Sequence, residues 1–416
     1  MPVLRYIPTA VPCEASIMED IEAGVDGALE SMIEALTRPL SREEEAPQPQ
    51  EPEKPARIIF KGTLEEVNRF FYQRGWTDGL PIVPPTEEAV ADMLAGTDLP
   101  PDHLLGKLES RMGKATIEKI AINAVMAGAL PTYMPVLIAG TILLIESEPG
   151  FMGYTTFGFS TGSWAPFWII NGPLRNAIHV NNGSGALSPG NIANAVIGRA
   201  MGLIIKNIGG VRKGIEDMGV MGNPMKYSMV IAENEEDSPW EPLHVEYGYE
   251  PEDSTITLSF PQNYVQHWPY SADAEGILRS VMDNIPRGMR YTLIFTPPHA
   301  RNLAREGWIK DEIKEFIAEY ARMPGARYNR MPVIGGGRPG LYKGRITANE
   351  SDTVPIIRDP RCIRIIVAGG PGAFIAHAAG GGATPGKKQT QKIDLPKNWD
   401  KLVAKYGNVV PTYAKY

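Results

Sequence analysis

The chain has 416 residues, 43% hydrophobic and 21% charged, with a net charge of −7 and two cysteines, Cys13 and Cys362. That length buries a sizeable core. The acidic balance, with no basic stripe, excludes nucleic acid or an anionic membrane as the main partner. Two cysteines far apart make neither a disulfide framework nor a thiolate metal cage, as expected of a reducing cytoplasm.

The opening "MPVLRYIPTAVPCEAS" has no apolar core behind a basic cap, so no secretion signal is expected. Residues 14–36 place Ile17, Ile21, Val25, Leu29, Met32, Ile33 and Leu36 at helical spacing. An amphipathic helical extension over 1–40 is therefore predicted. "SREEEAPQPQEPEKPA" (41–56) cannot build a core and reads as a Pro/Glu-rich linker. An amphipathic helix on such a tether is expected to dock, on its own body or on another subunit.

A helical part follows over 57–150. Thr63-Leu64-Glu65-Glu66 is a capping box, predicting a helix to about Arg74 that stops at Gly75. Prolines 81, 84 and 85 hold the next segment extended, and Thr86 opens another helix. Residues 115–127 and 133–146 read as two buried helices. The second is too short to span a bilayer and contains Pro135. Residues 151–290 are expected to form a Gly/Asn-rich and acidic site region with a mixed sheet. Here Asn191 caps a helix to about Lys206, and "KYSMVIA" (226–232) and "STITLSF" (254–260) read as strands. In the C-terminal α/β part, 291–416, "YTLIFT" and "IRIIVA" are strands separated by two helices, from His299 and from Asp311. That order predicts a parallel unit and, for the whole chain, a mixed α/β (α+β) fold.

Three constellations could bear chemistry. In "FWIINGPLRNAIHVNNGSG" (167–185), Asn171-Gly172-Pro173 and Asn181-Asn182-Gly183 stop two short apolar runs. Turns alone account for these residues, since Asn and Gly tolerate positive φ. The competing reading is a polar pocket floor, with Asn171, Asn182, Asn191, Asn194 and Arg199 converging on an anion beside a helix N-terminus.

The second constellation is "AENEEDSPWEPLHVEYGY" (232–249). Glu233, His244 and Glu246 suit general acid/base work, and Glu235, Glu236 and His244 could hold a divalent metal ion. Charge runs are commonly solvated faces, yet Pro239-Trp240 and Pro242-Leu243 stiffen this one into a held loop. The third is "VAGGPGAFIAHAA" (367–379), read as a glycine turn between a buried strand and a helix, with Gly370 and His377 beside a pocket. It lacks a G-x-G-x-x-G and a Lys-Ser/Thr pair, which argues against a nucleotide. Nowhere is there a G-x-S-x-G elbow, a Walker motif or a C-x-x-C.

"WTDGLPIVPPTEEAV" (76–90), "NIANAVIGRAMGLIIKNIGG" (191–210) and the 232–249 segment together resemble the large component of the UGSC-type bacterial proteins. That family is named for a selenocysteine- or cysteine-Gly-Ser-Cys motif, carried by a small companion protein or a fused domain. The resemblance covers most of 57–380; Asp78, in the first of these segments, is a further candidate substrate-binding residue, with Gly370. The motif itself is absent here, so the resemblance implies the half that lacks the redox-active residue.

The leading expectation is a large subunit of a two-component enzyme acting on a small organic, anionic substrate. A companion would supply a low-pKa thiolate or selenolate for reduction or cleavage of a carbon–heteroatom bond. The alternatives are a stand-alone metal-dependent hydrolase or lyase using the acidic cluster, and a non-catalytic scaffold or binding subunit. A homo- or hetero-oligomer is expected on the first reading.

Overall fold

The computed structural model describes residues 17–45, 57–146, 160–285, 290–330, 349, 351–357, 359–381 and 385–409. Cys13 and most of the expected linker, 46–56, lie outside the described residues. Residues 1–61 and 62–416 form two compact units.

The first unit contains the predicted helix, α1 (Met18–Thr37), and a single turn, α2 (Arg42–Glu45), inside the segment expected to be linker. On α1, Val25, Leu29 and Ile33 are exposed and Ala28 is buried.

The second unit opens with α3 (Leu64–Gln73) and α4 (Glu87–Leu94), capped by Thr63 and Thr86 as predicted. The Thr63 capping box is reciprocal: Thr63 Oγ1 accepts from the Glu66 N–H while Glu66 Oε2 accepts from the Thr63 N–H. A hairpin not expected from the sequence, β1 (Leu104–Leu108) with β2 (Gly113–Thr116), precedes α5 (Ile117–Ala127) and α6 (Met134–Glu146). No helix among the described residues is long and apolar enough to cross a membrane.

The remaining elements are β3 (Phe167–Asn171), α7 (Leu174–Ala177), α8 (Ile192–Asn207), β4 (Val230–Ala232), α9 (Leu243–Glu246), β5 (Thr255–His267) and α10 (Ala274–Asn284). They continue with β6 (Arg290–Phe295), α11 (Pro297–Arg305), α12 (Lys310–Tyr320), β7 (Arg322–Pro324), α13 (Gly325–Arg330) and β8 (Thr353–Pro355). The chain ends in β9 (Ile363–Val367), β10 (Ile375–Gly381), β11 (Thr390–Lys392) and α14 (Trp399–Tyr406).

Seven strands form one mixed sheet, ordered β4-β3-β5-β10-β6-β9 with β11 also on β5. β3–β4 and β6–β9 are parallel and the other pairs antiparallel. This is the expected mixed α/β class, with the expected parallel unit β6-α11-α12-β9. Two strand expectations shift. "KYSMVIA" contributes only Val230–Ala232, and β5 runs on to His267, seven residues beyond Phe260.

β5 is the hinge of the architecture. Its first half pairs with β3 and β11, its second with β10, so a strand of the 151–290 part is joined to the 291–416 part along its length. The β5–β10 register slips at Gly380, where a Cβ would lie 2.3 Å from the Phe260 carbonyl oxygen; only glycine permits that approach.

Side-chain alternation then divides the apolar residues into three cores. Phe167, Ile169 and Ile231 meet Ile294, Ile366, Ala376 and Ala378 in an inner layer between the two halves of the sheet. Trp168, Ile170, Ile256 and Leu258 face α5, α6 and α8. Leu293, Phe295, Ile365 and Ile375 face α10, α11 and α12. β3 and β9 are buried at every position because both of their faces are covered, which explains their mostly apolar sequences. The buried exceptions are Asn171 in β3 and Arg364 in β9, whose guanidinium donates to the Tyr247 hydroxyl.

The C-terminal expectation fails at one point. The glycine turn after β9 is followed by a strand, β10, and not by a helix. "IAHAA" has no helical stripe to bury; it alternates between two apolar faces in the middle of a sheet, and tertiary pairing decides.

Candidate functional site

The C-terminal ends of four strands are knitted together. Glu233, just past β4, donates its N–H to Ile170 O of β3 at 3.2 Å. Asn234 N–H reaches Val367 O of β9 at 2.8 Å, and Ala368 N–H reaches Phe295 O of β6 at 3.0 Å. Asn182 lies between them, its carbonyl accepting from Gly369 N–H at 2.8 Å and its side chain donating to Glu233 O at 3.5 Å. In sheets of this kind, ligands gather outside the carboxyl ends of strands.

On one side of Asn182 lies a buried charge cluster. Asn171 Nδ2 donates to Glu233 Oε2 at 2.6 Å and to Glu235 Oε1 at 3.1 Å, bridging two carboxylates. Glu233 Oε2 also accepts from the Leu243 N–H at 2.8 Å, at the start of α9. Glu235 Oε1 accepts from Gly172 N–H at 2.7 Å, with Arg175 Nε at 3.2 Å and His244 Nδ1 at 4.0 Å. Arg175 Nη2 binds Glu236 at 2.6 Å. Glu246 is held by Lys310 at 3.3 Å and Lys314 at 2.5 Å, and Lys310 Nζ also stands 3.8 Å from Glu233. Glu233, His244 and Asn171 are fully buried, and Arg175, Lys310 and Lys314 nearly so.

Burial opposes the charge on Arg175, but its bonds to Glu236 and Glu235 outweigh that and raise its pKa. The same balance raises Lys314, where Glu246 outweighs burial, and lowers Glu236, where Arg175 outweighs burial.

The cluster contains His244, Glu246, Glu233, Glu235 and Glu236 as expected, yet it is not arranged as a metal centre. No group of three or more His, Cys, Asp or Glu among the described residues is placed to hold an ion. The reason is visible in the partners: Glu235, Glu236 and Glu246 each already face an arginine or lysine. Carboxylates matched to fixed cations act as an ion-pair network, and Glu235, Glu236 and His244 do not form the expected divalent-metal set.

On the other side of Asn182 is a cleft of about 480 Å³. Its walls are two glycine-rich loops, 183–188 and 368–372, and its floor is the inner-layer face of Ile231, Ile294 and Ala376. Gly370 lines it, and a Cβ there would fall 1.9 Å from Ser184 Oγ, so glycine is what lets the two loops touch. The polar lining comes from Ser184, Ser188, Tyr264, Gln266 and Thr296. Among the described lining residues there is no carboxylate, amine, guanidinium, imidazole or thiol.

One wall is backed by histidines. Thr296 Oγ1 donates to Gly372 O at 2.8 Å and stands 3.0 Å from His299 Nδ1, and burial lowers the pKa of His299. Behind the sheet, His267 and His377 stack with centroids 4.7 Å apart and planes 18° from parallel. Burial pushes the pKa of each down to about 4, helped by His299 for His267 and by His267 for His377. Stacked rings carry their lone pairs in parallel planes, which do not converge on one ion. His377, expected at the pocket, points away from it, on the face shared with Ile375.

The amide floor is only partly assembled. Asn194 accepts from the Asn181 N–H at 2.8 Å and donates to Asn181, Ala186 and Val230 carbonyls, pinning the 181–186 loop to α8. Asn191 sits at the N-cap of α8 without capping through its side chain; it donates to Gly185 and Ser188 carbonyls instead. These asparagines shape the cleft loop from behind and do not line the cleft. Arg199 lies elsewhere, bound to Asp78 and the Pro81 carbonyl. Arg199 and Asp78 thus fix the 78–81 segment to α8, and the expected convergence of Arg199 on the asparagines is not what forms.

Sequence reasoning missed Arg175, Lys310, Lys314, Tyr264 and Gln266. Lys310 and Lys314 are four apart on α12 and both buried, a signal readable only once α9 is known to cover that face. No known protein family, curated protein or solved structure matches the chain.

Proposed function

We propose that the chain is the large, substrate-holding subunit of a two-component cytoplasmic enzyme acting on a small organic molecule. In this reading the reactive thiol or selenol belongs to a companion Cys-Gly-Ser-Cys protein. The observation that carries this reading is the cleft at the strand ends, which offers hydroxyls, an amide and main chain but no thiol, amine, imidazole or carboxylate among its described lining residues. Cys362 does not line it; burial pushes that thiol's pKa up, the opposite of what an attacking thiolate needs. The resemblance of residues 76–90, 191–210 and 232–249 to UGSC-type large components points the same way. Within the pair, this chain would bind and orient the substrate, and a companion thiolate would supply carbon–heteroatom bond reduction or cleavage.

The test is purification of the chain with its bound partners from the native source, followed by turnover assays. A C13S/C362S double variant should keep full activity while alkylation of the companion abolishes it. Activity of the purified chain alone, or its loss in the double variant, would overturn the proposal.

A further inference from the structure

The cleft also constrains what it binds, if it is the substrate site as proposed above. We infer that its ligand is an uncharged molecule with an apolar face and several hydrogen-bonding groups, of the kind represented by an aryl amide or alcohol, and not the anion expected from the sequence.

That expectation rested on Arg199 and on asparagines beside the α8 N-terminus. Arg199 makes its bonds to Asp78 and Pro81, and Asn191 and Asn194 turn their side chains onto loop carbonyls. The other cations near the strand ends are matched as well, Arg175 by Glu235 and Glu236, and Lys314 by Glu246. No positive side chain is left to meet an anion in the cleft among its described lining residues.

The cleft's own chemistry is neutral. Ile231, Ile294, Ala368 and Ala376 give an apolar surface, and Phe374 stands at its edge. Burial raises the Tyr264 phenol above its ordinary pKa, so it stays a neutral donor and acceptor. With the Gln266 amide and the Ser184 and Ser188 hydroxyls it can replace the water lost by a polar, uncharged ligand. An anion would leave water without a counter-charge, a costly transfer, and would approach a chain of net charge −7. A cation fares no better, since no carboxylate lines the cleft among the described residues. The volume of about 480 Å³ accommodates a single substituted ring.

Benzamide, benzoate and benzamidine share one shape and differ in charge, so they isolate the effect. Their binding to the full chain is measured by isothermal titration and by ligand-observed NMR. Resonance shifts of Tyr264 and Phe374 report the location, with Ala376→Leu as the variant that fills the floor. Benzamide should bind, and both charged analogues should bind at least about tenfold more weakly, a difference of about 1.4 kcal/mol. Benzoate or benzamidine binding in the cleft as tightly as benzamide overturns this inference and leaves the cleft as a small-molecule site. If none of the three moves Tyr264 or Phe374 at millimolar concentration, the cleft reading falls with it.

Discussion

Arg199 and Asp78 form a two-pronged ion pair, Nε to Oδ2 at 2.7 Å and Nη2 to Oδ1 at 3.0 Å, with a third bond from Nη2 to the Pro81 carbonyl. Both side chains are more than four-fifths buried. The pair therefore fastens the proline-rich 78–85 segment to α8. Arg199→Leu should cost about 2 kcal/mol in urea unfolding, between the values for exposed and fully buried pairs. Arg199→Lys should recover only part of this, because an ammonium cannot span both oxygens. Benzamide affinity should not change in either variant, and a loss of affinity without loss of stability would return Arg199 to the binding site.

Arg175 matches two carboxylates of unequal exposure. Glu235 is largely buried and Glu236 is 56% exposed. Arg175→Met should destabilise by about 3–5 kcal/mol, since it strands Glu235 beside Asn171 and buried Glu233. Glu236→Gln should cost less than about 1 kcal/mol, because water already screens that partner. Denaturant midpoints of the two variants in the opposite order would show that the cluster is not held through Glu235.

Acid should weaken the chain through the stacked histidines. Their folded pKa values, about 4, lie below the ordinary histidine value of 6.5, so the unfolded chain takes up protons first. Stability then falls as pH drops from about 6.5 towards 4 and levels off below that, by roughly 3 kcal/mol per ring. His377→Leu removes one titrating ring from the pair. Its melting temperature should therefore decline less steeply between pH 6.5 and 4, and an unchanged slope would assign the acid sensitivity elsewhere.

All three apolar cores are built from residues of the 62–416 unit among the described residues. A chain starting at Gly62 should therefore fold cooperatively, with a melting temperature within about 3 °C of the full chain, a shift of roughly 1 kcal/mol or less. A much earlier calorimetric transition would place part of the stabilising surface in residues 1–61.

Local chemistry was legible without coordinates wherever neighbouring residues settle it. The Thr63 box, the Thr86 cap and the buried helices 117–127 and 134–146 follow from side chains within a turn or two of each other. So do the strands β6 and β9, read from "YTLIFT" and "IRIIVA", whereas β3 was legible only as an apolar run stopped by Asn171-Gly172-Pro173.

What the sequence determined by itself was thus the capped and buried helices, several of the strands, the mixed class and the two neighbourhoods, amide-rich and acidic, where polar groups gather. What only the tertiary structure decided was the pairing between them. "IAHAA" becomes the central strand β10 because β5 and β6 offer it hydrogen bonds on both sides, a contact over more than a hundred residues to β5 that no local period encodes. Likewise, whether an arginine serves a ligand or a neighbour depends on which carboxylate folding brings within about 3 Å. For Arg199 that carboxylate is Asp78, 121 residues away, and for Arg175 it is Glu236, 61 away. Charge strength over such distances is set by burial and geometry, which exist only in the folded chain.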